Sequence, residues 1–152
     1  MSKKDVDRLR EKLPLPPLLM SLIQAGRWSN PGDEVMLRKI PFIHDPIIFL
    51  TTRESMDFNS GPLMGPDESE HAYFSEYRGA LVGERELPWA DVEKLIFIVV
   101  NERPGDDVGI ALDYRTGIDT PRVIGMDWHS GKNCIYREIS QSFEEFVELL
   151  EI

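Results

Sequence analysis

The chain has 152 residues, 41% of them hydrophobic, and 27 acidic side chains against 17 basic ones give it a formal net charge of −10. That length suits one domain (1–152) that buries roughly two-thirds of its unfolded surface without disulfide or metal staples. The acidity argues against direct nucleic-acid binding, which rests on Lys and Arg displacing the counterions condensed on phosphate. The single cysteine, Cys134, excludes an internal disulfide and agrees with a reducing cytoplasm.

In chain order, residues 3–12 carry Val6 and Leu9 at helical spacing, with Leu13 to follow, and Pro14 ends that short charged helix. Asp5, Asp7 and Glu11 interrupt any signal-peptide pattern, and no apolar run approaches the roughly 20 residues that span a bilayer. A soluble, cytoplasmic protein is the expectation. A second helix opens at Pro16–Pro17, since proline is tolerated where the helical N–H has no partner. Its stripe of Leu18, Leu19, Leu22 and Ile23 faces the core, and Gly26 caps it.

Residues 27–34 form a turn around Asn30–Pro31–Gly32, and 35–43 (VMLRKIPFI) are expected to be extended, with Pro41 placing them at an edge or bend. Asp45–Pro46 begins another turn. Thr51 and Glu54 make a weak capping box for a short helix through Phe58. Residues 59–70, rich in Gly, Pro and acids, are expected to form a surface loop, and 71–82 are ambiguous between helix and strand.

From Lys94 to Ile139 the pattern is that of a β-meander. KLIFIVV (94–100) is a continuous apolar run, as in a strand buried on both faces. VGIALDY (108–114) alternates, with Val108, Ile110 and Leu112 on one side. PRVIGMDW (121–128) resumes the period with Ile124, Met126 and Trp128, and NCIYREI (133–139) closes the series. Connections this short join antiparallel neighbours, because a parallel return needs a crossover of about a dozen residues. Ser142 and Glu145 then form a capping box ahead of Phe143, Phe146, Val147 and Leu150 at i, i+3, i+4, i+7. This terminal helix is expected to lie on the sheet. The fold class is α+β: a mostly antiparallel sheet packed with N-terminal and C-terminal helices.

Catalytic chemistry has little to stand on. His44, His71 and His129 lack HxxxH or HxH spacing, and one cysteine makes no zinc framework. Asp127, His129 and Cys134 lie near one turn, where a metal or a thiol–imidazole pair is conceivable. An ordinary surface turn, with Cys134 packed as a small apolar residue, is the simpler reading. Asp106, Asp107, Asp113, Asp119 and Asp127 sit in or beside turns, and bonding to local backbone accounts for them more simply than acid–base work or cation binding. No phosphate-cradling or nucleophile-elbow motif occurs. The expectation is a non-enzymatic protein with no cofactor and no metal.

The succession IFIVVNERPGDDVGIALDYRTG, PRVIGMDW and YREISQSFEEFVELL resembles the SUKH superfamily, which includes bacterial immunity proteins of polymorphic toxin systems and a fungal regulator of cell-wall synthesis. The marks are the small-residue strand ending in Asp113, the strand and turn carrying Asp127–Trp128, and the closing SFEEF helix, 142–146. LPLPPLLMSLIQAGRW, IPFI (40–43) and EYRG (76–79) fit the same pattern. The resemblance implies an α+β fold and a single-domain protein binder, often one that neutralises a cognate toxin, and it transfers no contact residue. Acidity adds a hint of its own, since a basic toxin would be complemented by an acidic inhibitor. Charges beside aromatics, namely Glu76, Tyr77, Asp106, Asp107, Asp113, Tyr114, Asp127 and Trp128, are the candidate partner-binding residues. Core packing is the competing role for Tyr114 and Trp128. The alternatives in function are a regulatory or scaffolding module and, further off, a small metal-dependent hydrolase using the meander carboxylates.

Overall fold

The computed structural model describes residues 13–60, 87–104, 106–131 and 134–152. The expected helix at 3–12, the segment 61–82, and with it Glu76 and Tyr77, lie outside the described residues.

Helix α1 spans Pro17–Gln24 and buries Leu19 and Leu22. It ends as its glycine predicts. Gly26 takes φ +68 and donates to the Ile23 carbonyl, while the Arg27 N–H reaches the Leu22 carbonyl, which closes the last turn with a left-handed residue. Asn30 then accepts from the Gly32 N–H through Oδ1 at 2.8 Å, turning the chain into α2, Asp33–Lys39.

Helix α2 corrects the expectation of an extended 35–43. Asp33 and Glu34 stand in its first turn and Arg38 and Lys39 in its last, each complementing the helix dipole. Met36 and Ile40, four residues apart, are both buried. Two apolar anchors and favourable end charges outweigh the β-branched content of the segment, and Pro41 stops the helix.

Strand β1, Ile47–Phe49, is a short edge that the sequence pattern did not reveal. Helix α3, Arg53–Ser60, follows, with Thr52 rather than Thr51 at its start: the Thr52 Oγ1 accepts from the Ser55 N–H at 3.1 Å. The meander then forms as predicted: β2 Leu95–Asn101, β3 Gly109–Asp113, β4 Arg122–Asp127 and β5 Ile135–Ser140. The described sheet has five strands in the order β1-β2-β3-β4-β5, all antiparallel. Helix α4, Phe143–Leu150, closes the chain, with the Ser142 hydroxyl accepting from the Glu145 N–H.

Six consecutive residues of β2, Leu95 to Val100, are buried, so both faces of this interior strand are covered. A bulge at Ile98 shifts the register against β3. There the Phe97 N–H turns out of the ladder to Ser60, whose Oγ accepts at 2.8 Å while donating to the Met56 carbonyl at 2.6 Å. One hydroxyl thus locks α3 to β2. Elsewhere Trp28 is the hub. Its ring lies 4.7 Å from Phe49, 5.6 Å from Phe143 and 6.3 Å from Phe146, and its Nε1–H donates to the Leu50 carbonyl at 2.8 Å. The four apolar residues foreseen for α4 (Phe143, Phe146, Val147 and Leu150) are all buried.

Alternation of the meander sets the ends of the sheet. One end collects the β3–β4 connection and the start of β2. The other collects the α2–β1 connection (40–46), the β2–β3 loop (102–108) and the β4–β5 turn (128–134). Both ends carry charge, buried at Asp113 and Asp127 and half-buried at Asp106 and Asp107.

Candidate functional site

At the first end, Asp113 is 1% exposed. Arg115 grips its carboxylate with two groups, Nε at 2.8 Å from Oδ1 and Nη2 at 2.8 Å from Oδ2, and Arg122 Nε adds a third contact at 2.8 Å to Oδ2. Burial pushes this carboxyl's pKa up. The hydrogen bonds and charge of Arg115, with the bond from Arg122, outweigh burial and hold it below the usual carboxylate value. Tyr114, 4% exposed, donates its hydroxyl to the Pro14 carbonyl at 2.7 Å, and burial raises its pKa above the usual phenol value. Neither residue offers a surface to a partner.

Asp127, fully buried, organises the β4–β5 turn. Its Oδ1 accepts from the His129 N–H at 2.9 Å and the Ser130 N–H at 3.1 Å, and its Oδ2 accepts from Arg137 Nε. Burial opposes ionisation, but the bonds from Ser130, Arg137 and His129 prevail and lower the pKa to about 2. Of the candidate partner-binding residues, Asp113, Tyr114 and Asp127 are thus buried and bonded within the fold, to strand ends, to the Pro14 carbonyl and to a turn.

Asp106, Asp107 and Trp128 fare differently. They stand half-buried at the far end of the sheet and, with Asp45 from the α2–β1 connection, line a shallow, open pocket of about 150 Å³. The Asp106 Oδ2 is shielded from solvent and has no hydrogen-bond partner among the described residues. Beside this acidic corner the rings of His44 and His129 stack at 4.4 Å with 16° between their planes, joining two connections distant in sequence. His129 Nε2 lies 3.7 Å from Asp45 Oδ2, and the His44 ring Nε2–H donates to the Pro41 carbonyl at 2.7 Å.

Asp45 also borders a second pocket, of about 270 Å³. Buried Met36, Ile43 and Ile47 make its floor, Pro46 lines it, and exposed Asp33, Leu37 and His44 stand at its rim. Asp45 is therefore the wall between an acidic pocket and an apolar groove. Sequence reasoning passed over Asp45 and Leu37 because nothing local marks them. Leu37 acquires its setting when 43–47 folds back along α2, and Asp45 when it meets Asp106, Asp107 and Trp128.

Cys134 is buried at 3% exposure, as expected of a small packing residue. Among the described residues no group of three His, Cys, Asp or Glu side chains is placed to hold a metal ion. None of the described helices is long and apolar enough to cross a membrane. No family model, curated protein or solved structure matches the chain.

Proposed function

We propose that this chain is a protein-binding domain that captures a basic partner, in the manner of an immunity protein neutralising a cognate toxin. The observation that carries the reading is the acidic corner. Asp45, Asp106 and Asp107 converge beside Trp128 at one end of the sheet, on a chain whose net charge is −10. Such a patch raises the local concentration of cationic partners and accelerates their encounter, and an adjacent half-buried tryptophan supplies a rigid anchor. The resemblance of the motif succession to immunity proteins supports the same class, and the α+β architecture with its antiparallel sheet is compatible with it.

The test is affinity capture from the native cell lysate with wild-type protein and with D45N/D106N/D107N, washed at low and then high salt. One dominant basic protein, held by the wild type, released by salt and missing from the variant, supports the reading. Several substoichiometric partners, held equally by both proteins, would replace it with a regulatory or scaffolding role.

A further inference from the structure

The groove beside the acidic corner defines what kind of basic segment belongs there. Small-molecule sites span roughly 300–1,000 Å³. At about 270 Å³, at the small end of that range, with an apolar floor, this groove has room for one or two side chains. Its rim carries Asp33 and Asp45, and among the described residues no Lys or Arg lines it. Across the Asp45 wall, the Asp106 carboxylate has one oxygen removed from water without a hydrogen-bond partner among the described residues. The carboxylates that line this corner can form charge-assisted hydrogen bonds with an arriving cationic N–H.

We infer that groove and corner together recognise a partner segment in which an aliphatic side chain adjoins an arginine or lysine. The aliphatic group enters over Leu37 onto Met36, Ile43 and Ile47. The cation crosses the Asp45 wall to meet Asp106 and Asp107 beside Trp128. This rests on the basic-partner reading and adds to it the character of the contacting segment. A purely basic segment leaves the apolar floor exposed, and an acidic one meets like charge on both sides of the wall.

Blocked dipeptide amides titrated into the ¹⁵N-labelled full chain provide the test. Acetyl-Leu-Arg-amide is expected to shift the Leu37, Asp45 and Asp107 amides and the Trp128 indole N–H saturably. Acetyl-Gly-Arg-amide should bind about tenfold more weakly, and acetyl-Leu-Glu-amide should leave those signals in place. Leu37→Lys, at a position 50% exposed, should keep the folded spectrum and weaken acetyl-Leu-Arg-amide binding about tenfold. No shift with acetyl-Leu-Arg-amide, or equal shifts with acetyl-Leu-Glu-amide, overturns the inference. Shifts of the same signals with protein concentration alone would put a second copy in the groove and overturn it as well. If lysate capture still yields one salt-sensitive basic partner while the peptides leave the groove untouched, the inference falls and the basic-partner reading stands.

Discussion

Asp113 and Arg122 are paired across β3 and β4, their Cα atoms in register and the Arg122 Nε 2.8 Å from Asp113 Oδ2. With Arg115 on the same carboxylate, 5% exposed, one buried acid serves two cations. Removing the acid alone leaves both guanidinium groups without their shared anion. Asp113→Ala is therefore expected to lower the unfolding free energy by about 3–5 kcal/mol, a large share of the roughly 5–15 kcal/mol typical of a domain. Urea denaturation measures it. A loss below about 1 kcal/mol would mean that the network is energetically idle.

Asp127 ties stability to pH. Its folded pKa of about 2 lies below the ordinary value of 3.8, so its contribution is present in full above about pH 4 and is lost as pH falls toward 2. The shift corresponds to about 2 kcal/mol. Asp113, whose pKa is also lowered, acts with the same sign. Unfolding free energies of wild type and Asp127→Asn, measured from pH 6 to pH 2, should converge toward the acid end. A constant gap across that range would rule out the ionised Asp127 as its source.

Two glycines mark close approaches. A Cβ on Gly109 would lie 2.7 Å from Phe97 Cδ1 and 2.9 Å from the Val99 carbonyl oxygen, whereas on Gly125 its nearest neighbours would be the side chains of Ile139, at 2.9 Å, and Phe42, at 3.0 Å. Backbone yields less readily than side-chain ends. Gly109→Ala is expected to cost about 1–3 kcal/mol, and Gly125→Ala less, by thermal or urea unfolding of each.

Helix α4 is held by its apolar face more than by its cap. Phe146→Ala should destabilise by about 3–5 kcal/mol, while Ser142→Ala, which removes the hydroxyl accepting from Glu145, should cost about 0.5–2 kcal/mol. The reverse order, in the same denaturation assay, would place the helix's anchor at its end and not at its contact with Trp28.

The parts of the fold legible in the sequence are those with a long enough local signal. The seven apolar-rich residues of β2, the alternation in β3 and β4, and the Ser142 box each repeat a period that one face of burial enforces. Helix α2 was obscured because Val35 and Ile40 suggest a strand, and only its end charges, Asp33 with Glu34 and Arg38 with Lys39, pointed the other way. Strand β1 is three residues long, too short for any period. At the proposed site, Asp106, Asp107 and Trp128 stand out in the sequence because acids and an aromatic crowd two turns. Asp113 and Asp127 stand out for the same reason although both are buried, since crowding does not reveal burial. The arginines that consume them, Arg115 two residues on and Arg137 ten, were the available hint. The place of Asp45 in the acidic corner depends on contacts between distant connections, which no local pattern records.

The acidic corner is proposed to draw in a basic protein. The direct test is the association rate of the captured partner with wild type and with D45N/D106N/D107N across ionic strength. Steering by this corner predicts a wild-type rate that falls steeply with salt, a variant rate about tenfold lower at low salt, and convergence of the two at high salt. Equal rates with equal salt dependence would place the binding surface elsewhere on the molecule.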